Sequence, residues 1–213
     1  MSAPALPEWM EPAAAGLERY AEILAGPGIE RGLLGPREAD RIWDRHLLNC
    51  AVVVDPSAGV VDQGARVADI GSGAGLPGVV WALCRPDLEV VLIESLLRRA
   101  NFLTECLHEL SLTDRVHMVR ARAEDAGARP GSFDVVTARA VAPLGTLAEW
   151  GVPLLNAGGR LVALKGESAA DEVARDQSVL DKLGLENVQV QQIGGGVVEP
   201  PTTVVTATRA TAQ

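Results

Sequence analysis

Apolar positions follow two different rhythms along this chain. Through the first 60 residues they recur at helical spacing, with Leu17, Tyr20, Ala21 and Leu24 in one run and Ile42, Leu47 and Ala51 in another. The first run predicts a helix ended by Gly26-Pro27-Gly28, and the second predicts a helix over 38–53. Asp55-Pro56-Ser57-Ala58-Gly59 then reads as a loop. From Ala65 onward short strand-like runs alternate with longer helical ones. Strands are expected near 66–70, 88–94, 115–120, 133–138, 160–165, 187–193 and 203–208. Helices are expected at 76–84, 96–110, 143–155 and 168–184, with a short one near 123–127. That alternation predicts an α/β fold with a mostly parallel sheet covered on both faces. The last two strands have no helix-length connection between them, so they must pair antiparallel. The expected organisation is a helical extension over 1–60 and a Rossmann-like domain over 61–213.

The bulk numbers narrow the classes. The chain has 213 residues, 47% of them hydrophobic, enough for a folded core. A net charge of −9 argues against a general nucleic-acid coat protein but leaves room for a local basic face. Cys50, Cys84 and Cys106 show no metal-like or paired spacing, fall in expected helices, and read as small core residues of a cytoplasmic protein. The first ten residues lack the regions of a signal peptide, and no apolar run reaches membrane-spanning length. A soluble, cytoplasmic protein with no membrane partner and no metal is expected.

The candidate chemistry starts at Asp69-Ile70-Gly71-Ser72-Gly73-Ala74-Gly75-Leu76-Pro77-Gly78. Glycines at every second position, between a buried strand and a helix, allow tight turning and close backbone approach to a ligand. A dinucleotide pattern, G-x-G-x-x-G, can be threaded from Gly73 to Gly78, but Gly71 and Ser72 already occupy the place where its first glycine belongs. The run is better described as Asp-x-Gly-x-Gly-x-Gly and resembles the first motif of class I S-adenosylmethionine-dependent methyltransferases. Gly71, Gly73, Gly75 and Leu76 are therefore candidate cofactor contacts. Seven strands with a terminal hairpin favour the same class over a six-stranded dinucleotide sheet. Glu94 ends the second strand 23 residues after Gly71 and is placed to accept ribose hydroxyls. Ala123 and Glu124, after the third strand, are placed along an adenine.

After the fourth strand comes Ala138-Arg139-Ala140-Val141-Ala142-Pro143. It lacks the Asn/Asp-Pro-Pro-aromatic turn that methylation of exocyclic amines needs. No cysteine or histidine lies on it, so it offers no obvious general base. Guanine N7 carries a lone pair and no hydrogen, so its methylation needs positioning and desolvation rather than proton removal. Arg139 is the candidate for positioning substrate or cofactor; a structural ion pair is the plainer account of it. Cations also gather at the carboxyl ends of the expected strands: Arg98, Arg99, Arg120, Arg122 and Lys165. Arg98 and Arg99 sit in the first turn of a helix, where cations oppose the macrodipole. A phosphate-binding rim for RNA accounts for them; scattered solubility charge is the alternative.

Taken together, these residues resemble the bacterial 16S ribosomal RNA guanine-N7 methyltransferase family, also called the glucose-inhibited division protein B family. The resemblance covers nearly the whole chain. It runs through Arg45-His46-Leu47-Leu48-Asn49, the extended glycine loop, the segment Glu94–Leu103, Arg122-Ala123-Glu124, Ala138-Arg139-Ala140 and Leu164-Lys165-Gly166. It implies S-adenosylmethionine as cofactor, held at Gly71, Leu76, Ala123, Glu124 and Arg139. It also implies N7 methylation of a guanine in the 530 loop of 16S rRNA, presented as free rRNA or as the small ribosomal subunit. The family often carries Lys where Arg98 stands and Asp-Ser where Asn49-Cys50 stands. Competing readings are a small-molecule O- or N-methyltransferase with a closed apolar pocket, an NAD-dependent oxidoreductase, and a cofactor-binding protein without turnover.

Overall fold

The computed structural model describes residues 3–125 and 131–211. Seven strands form one sheet in the order β3-β2-β1-β4-β5-β7-β6. They are β1 (Arg66–Ile70), β2 (Glu89–Ile93), β3 (Val116–Val119), β4 (Phe133–Arg139), β5 (Leu155–Lys165), β6 (Leu185–Ile193) and β7 (Thr202–Arg209). The first five pair in parallel, while β7 lies antiparallel to both β5 and β6. The helices are α1 (Ala14–Ile23), α2 (Asn49–Ala51), α3 (Gly78–Cys84), α4 (Leu97–Glu109), α5 (Leu144–Gly151) and α6 (Ala169–Lys182). Among the described residues no helix is long and apolar enough to cross a membrane.

Alternation along β1 divides the molecule into two layers, because successive side chains leave a strand on opposite faces. Val67 joins a core with Tyr20, Leu24, Leu47, Val79, Trp81, Leu92 and Phe102. Ala68 and Ile70 join a second core with Val136, Leu147, Leu161 and Leu180. The N-terminal 60 residues therefore complete the layer that α3 and α4 begin. Two buried hydrogen bonds tie them there. The Trp81 indole Nε1 donates to Cys50 O at 3.0 Å, and the Tyr20 hydroxyl donates to Ala74 O, inside the glycine loop, at 2.6 Å.

Four elements depart from expectation. Gly26-Pro27-Gly28 does not end the first helix. The chain widens to a π-turn over Leu24–Gly28, whose longer hydrogen-bond spacing accommodates the proline that lacks an N–H. The helical path stops at Gly32, where φ is +67°. There Leu33 N–H bonds Gly28 O and Gly32 N–H bonds Ile29 O, the paired closure that favours glycine at the left-handed position. The helix expected over 143–155 is shorter, because β5 begins at Leu155. Its first residues bulge between Phe133↔Leu155 and Val135↔Arg160. A Cβ on Gly159 would stand 3.0–3.1 Å from three backbone oxygens, so the bulge depends on that glycine. The short helix expected near 123–127 is a 3-10 turn over Ala123–Asp125; residues 126–127 lie outside the described residues. The helix expected over 38–53 is instead a succession of a 3-10 turn over Pro36–Arg41, a π-turn over Ile42–Leu48, α-helix only over Asn49–Ala51 and a 3-10 turn over Val52–Val54. Other strand and helix positions agree to within a few residues, and all three cysteines are buried and free.

Replacing Tyr20 by Phe removes the bond to Ala74 O and leaves that buried carbonyl unpaired. The expected cost is about 1–2 kcal/mol, read as a fall of a few degrees in Tm by thermal unfolding.

Candidate active site

The glycine loop opens where β1 ends. Gly71 N–H bonds Ile93 O at 2.8 Å and Gly75 N–H bonds Ser72 O at 2.7 Å, so the backbone turns sharply against the end of β2. Gly73 and Gly75 have φ of +59° and +100°, values that side chains rarely tolerate. Their surroundings differ. A Cβ on Gly75 would lie 2.6 Å from Val79 and 2.7 Å from the Tyr20 hydroxyl, while one on Gly73 would meet only Gly71 O, at 3.7 Å. The underside of the loop is thus packed and its upper side opens into a cleft. Gly78, at the start of α3, fits against β1, where a Cβ would fall 2.7 Å from Asp69.

Asp69 is fully buried beneath this turn. Its Oδ2 accepts from Gly78 N–H at 3.0 Å, and its Oδ1 has no hydrogen-bond partner among the described residues. Burial pushes its carboxyl up to about 7, despite the Gly78 hydrogen bond, and the nearby Glu94 adds to the rise. Glu94 is also buried. It accepts from Gly73 N–H at 3.0 Å and from Leu96 N–H at 2.9 Å, joining the glycine loop to the start of α4. That carboxylate supplies the negative charge that the first turn of α4 itself lacks.

Three cavities meet at the carboxyl ends of the strands. The first, about 500 Å³, is lined by Gly71, Gly73, Leu76, Glu94, Arg99 and Arg139 among others. A second, about 340 Å³, lies beside Ile93, Ala123, Glu124, Arg122 and Trp150. A third, about 750 Å³, lies beyond Arg139 and is lined by Arg45, Asn49, Lys165, Asp171 and Glu172 among others. Val141 borders all three. Its side chain stands over Gly71, 2.8 Å from where a Cβ would be. It follows Ala140, a non-glycine residue at φ +55°.

Arg139 forms the partition between the first and third cavities, and among the described residues it pairs with no acid. Its Nη2 donates to Arg45 O at 2.9 Å and contacts His46 Nδ1 at 3.0 Å, and its Nη1 lies 3.2 Å from Cys50 Sγ. A guanidinium can only donate, so His46 Nδ1 accepts and Nε2 carries the proton toward Glu38, 2.7 Å away. Burial and the Arg139 charge lower the His46 pKa, which favours that neutral form. Burial raises the Cys50 thiol, though Arg139 opposes this.

The remaining expected contacts divide. Arg98, Arg120 and Arg122 are exposed. Arg99 turns into the first cavity, 3.7 Å from Glu94, with its buried Nε unpartnered. Lys165 faces inward, donating to Ala142 O and Glu172, each at 2.8 Å. Burial pushes the Glu172 carboxyl up, but hydrogen bonds from Lys165 and Leu144 N–H leave it below its usual value. That cluster braces the loop from β4 into α5. The sequence reading did not single out Asp69, Val141, Trp150 or Asp171. Asp69 was visible as the first letter of the glycine motif; the others carry no local signal.

A glycine cradle, a buried acid with a free oxygen and a strand-end acid fit a cationic nucleoside better than a pyrophosphate. S-adenosylmethionine has that chemistry: an ammonium, a sulfonium and a ribose diol. Fold and site together define a class I S-adenosylmethionine-dependent methyltransferase. Among solved structures, the fold is similar to the methyltransferase SibL in its apo form (TM-score 0.62, 21% identity, 94% of this chain and 70% of that one). It is also similar to tRNA (m1A58) methyltransferase TrmI from Aquifex aeolicus (TM-score 0.60, 15% identity, 77% of this chain and 69% of that one). Residues 13–199 match the GidB family, described as rRNA small subunit methyltransferase G. The chain is 54% identical to "Ribosomal RNA small subunit methyltransferase G" of Mycolicibacterium gilvum (strain PYR-GCK), covering 94% of this chain and 87% of that protein. It is 53% identical to the protein of the same name from Streptomyces coelicolor, covering 88% and 76% respectively. The chain belongs to the GidB family of methyltransferases, and the dinucleotide-dependent reading is set aside.

Two outcomes are expected. Gly73→Val strains a left-handed position and fills the cleft, so affinity for S-adenosylhomocysteine by calorimetry should fall at least about tenfold while circular dichroism stays native. Asp69→Asn should remove a pH effect. The folded chain holds a carboxyl proton that the unfolded chain releases near pH 4, so the stability contributed by Asp69 is lost as pH rises toward its folded value, about 7. In urea unfolding, the advantage of D69N over the wild type should grow between about pH 4 and about pH 7 and level off above that.

Proposed function

We propose that this enzyme methylates N7 of a guanine in small-subunit ribosomal RNA, within the 530 loop of 16S rRNA. The location in that loop rests on the family resemblance. The observation that carries the chemistry is the wall between the cofactor cleft and the third cavity. It consists of Arg139, Ala140 and Val141, residues common to both, and none can take a proton at neutral pH. A substrate atom that must lose a proton to react finds no acceptor on that wall, and His46, which the sequence placed elsewhere but which also lines the cleft, already has Nδ1 on Arg139 and Nε2 on Glu38. Guanine N7 needs none.

Bound S-adenosylmethionine supplies an electrophilic methyl group on a sulfonium. The chain does the rest by placement. The glycine loop and Glu94 fix the nucleoside end of the cleft. Arg139 has three of its N–H groups held by Arg45 O, His46 and Cys50, which locks the guanidinium and leaves two of its five donors for guanine O6 or a phosphate. Such pre-set orientation removes much of the entropic part of a barrier. The exposed Arg45, Arg98, Arg120 and Arg122 suit the RNA backbone. Ala123 and Glu124 fit the adenine side, beside Trp150. The third cavity is open and lined by charged residues, unlike the closed apolar pocket that a small-molecule methyltransferase calls for.

Tritiated methyl transfer to small ribosomal subunits, free 16S rRNA and a metabolite panel tests this, with reverse-transcription mapping of cleavable N7-methylguanine. Incorporation into the ribosomal substrates is expected, and incorporation into metabolites alone overturns the proposal. Arg139→Ala should lower kcat/KM at least about a hundredfold, consistent with loss of a positioning donor, with Tm changed by only a few degrees.

A further inference from the structure

We infer that Asp171 reads the Watson–Crick edge of the target guanine. The inference rests on the guanine-N7 reading above and assigns the far wall of the same site. A purine held for attack through N7 must present its Hoogsteen edge to the methyl donor. The 2-amino group lies across the ring from N7 and must face away from the donor, with N1–H beside it. In the third cavity, the wall nearest the cofactor cleft is Arg139-Ala140-Val141. Ser168, Asp171, Glu172 and Arg175, at the start of α6, line this cavity and not the cleft. The 2-amino end of the Watson–Crick edge therefore points toward α6.

N1–H and N2–H are two parallel donors, and a carboxylate offers two matching acceptors. Four acids stand near the start of α6: Glu167 does not line the cavity, and Glu172 and Asp176 are engaged. Glu172 accepts from Lys165, Leu144 N–H and Ser168. Asp176 accepts from Gly145 N–H and Arg175. Asp171 makes no hydrogen bond or ion pair among the described residues and is exposed to the cavity. Adenine would present an acceptor and one amino group to the same carboxylate, a mismatched pairing. Reading an unstacked base by this edge is a general device of enzymes that modify nucleic-acid bases. The plainer account of Asp171 is a favourable charge in the first turn of a helix; that role affects stability and not base choice.

The test uses small subunits reconstituted with rRNA carrying guanine or inosine at the mapped position. Inosine keeps N7, O6 and N1–H and lacks the 2-amino group. The wild type should prefer guanine about tenfold in kcat/KM. In Asp171→Ala and Asp171→Asn the guanine rate should fall and the preference should shrink toward unity, with S-adenosylhomocysteine affinity and Tm unchanged; Asp171→Glu should restore part of it. An unaltered guanine-to-inosine ratio in D171A overturns the assignment, as does a shift in Tm without a shift in that ratio. If the wild type leaves N7 unmethylated on every ribosomal substrate, the reading beneath fails, and the assignment with it.

Discussion

The site depends on one buried contact: the Asp69 carboxylate under the backbone N–H of Gly78. It joins the end of β1 to the start of α3 across the glycine turn, and there is no room between them for a Cβ. A loop that must offer bare backbone to a ligand cannot also stabilise itself with side chains on that side. Its order has to come from below. Asp69, the Tyr20 hydroxyl on Ala74 O, and the close packing of Gly75 against Val79 provide it. A carboxyl buried with one oxygen unpaired is costly in ionised form in an apolar layer, which is why its proton is held more tightly than in water.

The N-terminal 60 residues serve the site in two ways. They complete the apolar layer over one face of the sheet, and they hold the partition residue. Arg139 stands at the end of β4, yet each of its described partners lies in the segment Arg45–Cys50. Neutral His46, with Glu38 behind it, presents a lone pair to the guanidinium. Polar contacts of this kind specify one orientation where apolar packing would allow several. On the other side, Lys165 and Glu172 brace the same loop, so the partition is held at both ends.

Much of this was legible from the residues alone. The two rhythms of apolar positions gave the helical extension and the βα alternation, and Thr202–Thr208 showed its terminal strand through β-branched content. The glycine spacing located the cofactor loop because φ and close packing restrict those positions to glycine. Gly26-Pro27-Gly28 misled, since a π-turn can absorb what an α-helix cannot. Lys165 and Arg99 read as rim cations because charge is visible in a sequence and direction is not. Trp150 and Val141 sit at the site through tertiary packing of α5 and the β4–α5 loop, which no local pattern encodes.

Val141 stands where three chambers adjoin, on a backbone turn that Ala140 holds in an uncommon conformation. Whatever fills one chamber presses on a neighbour of the other two. Val141 is the residue that lines all three chambers. The size of that one aliphatic side chain therefore sets the width of three adjoining chambers at once.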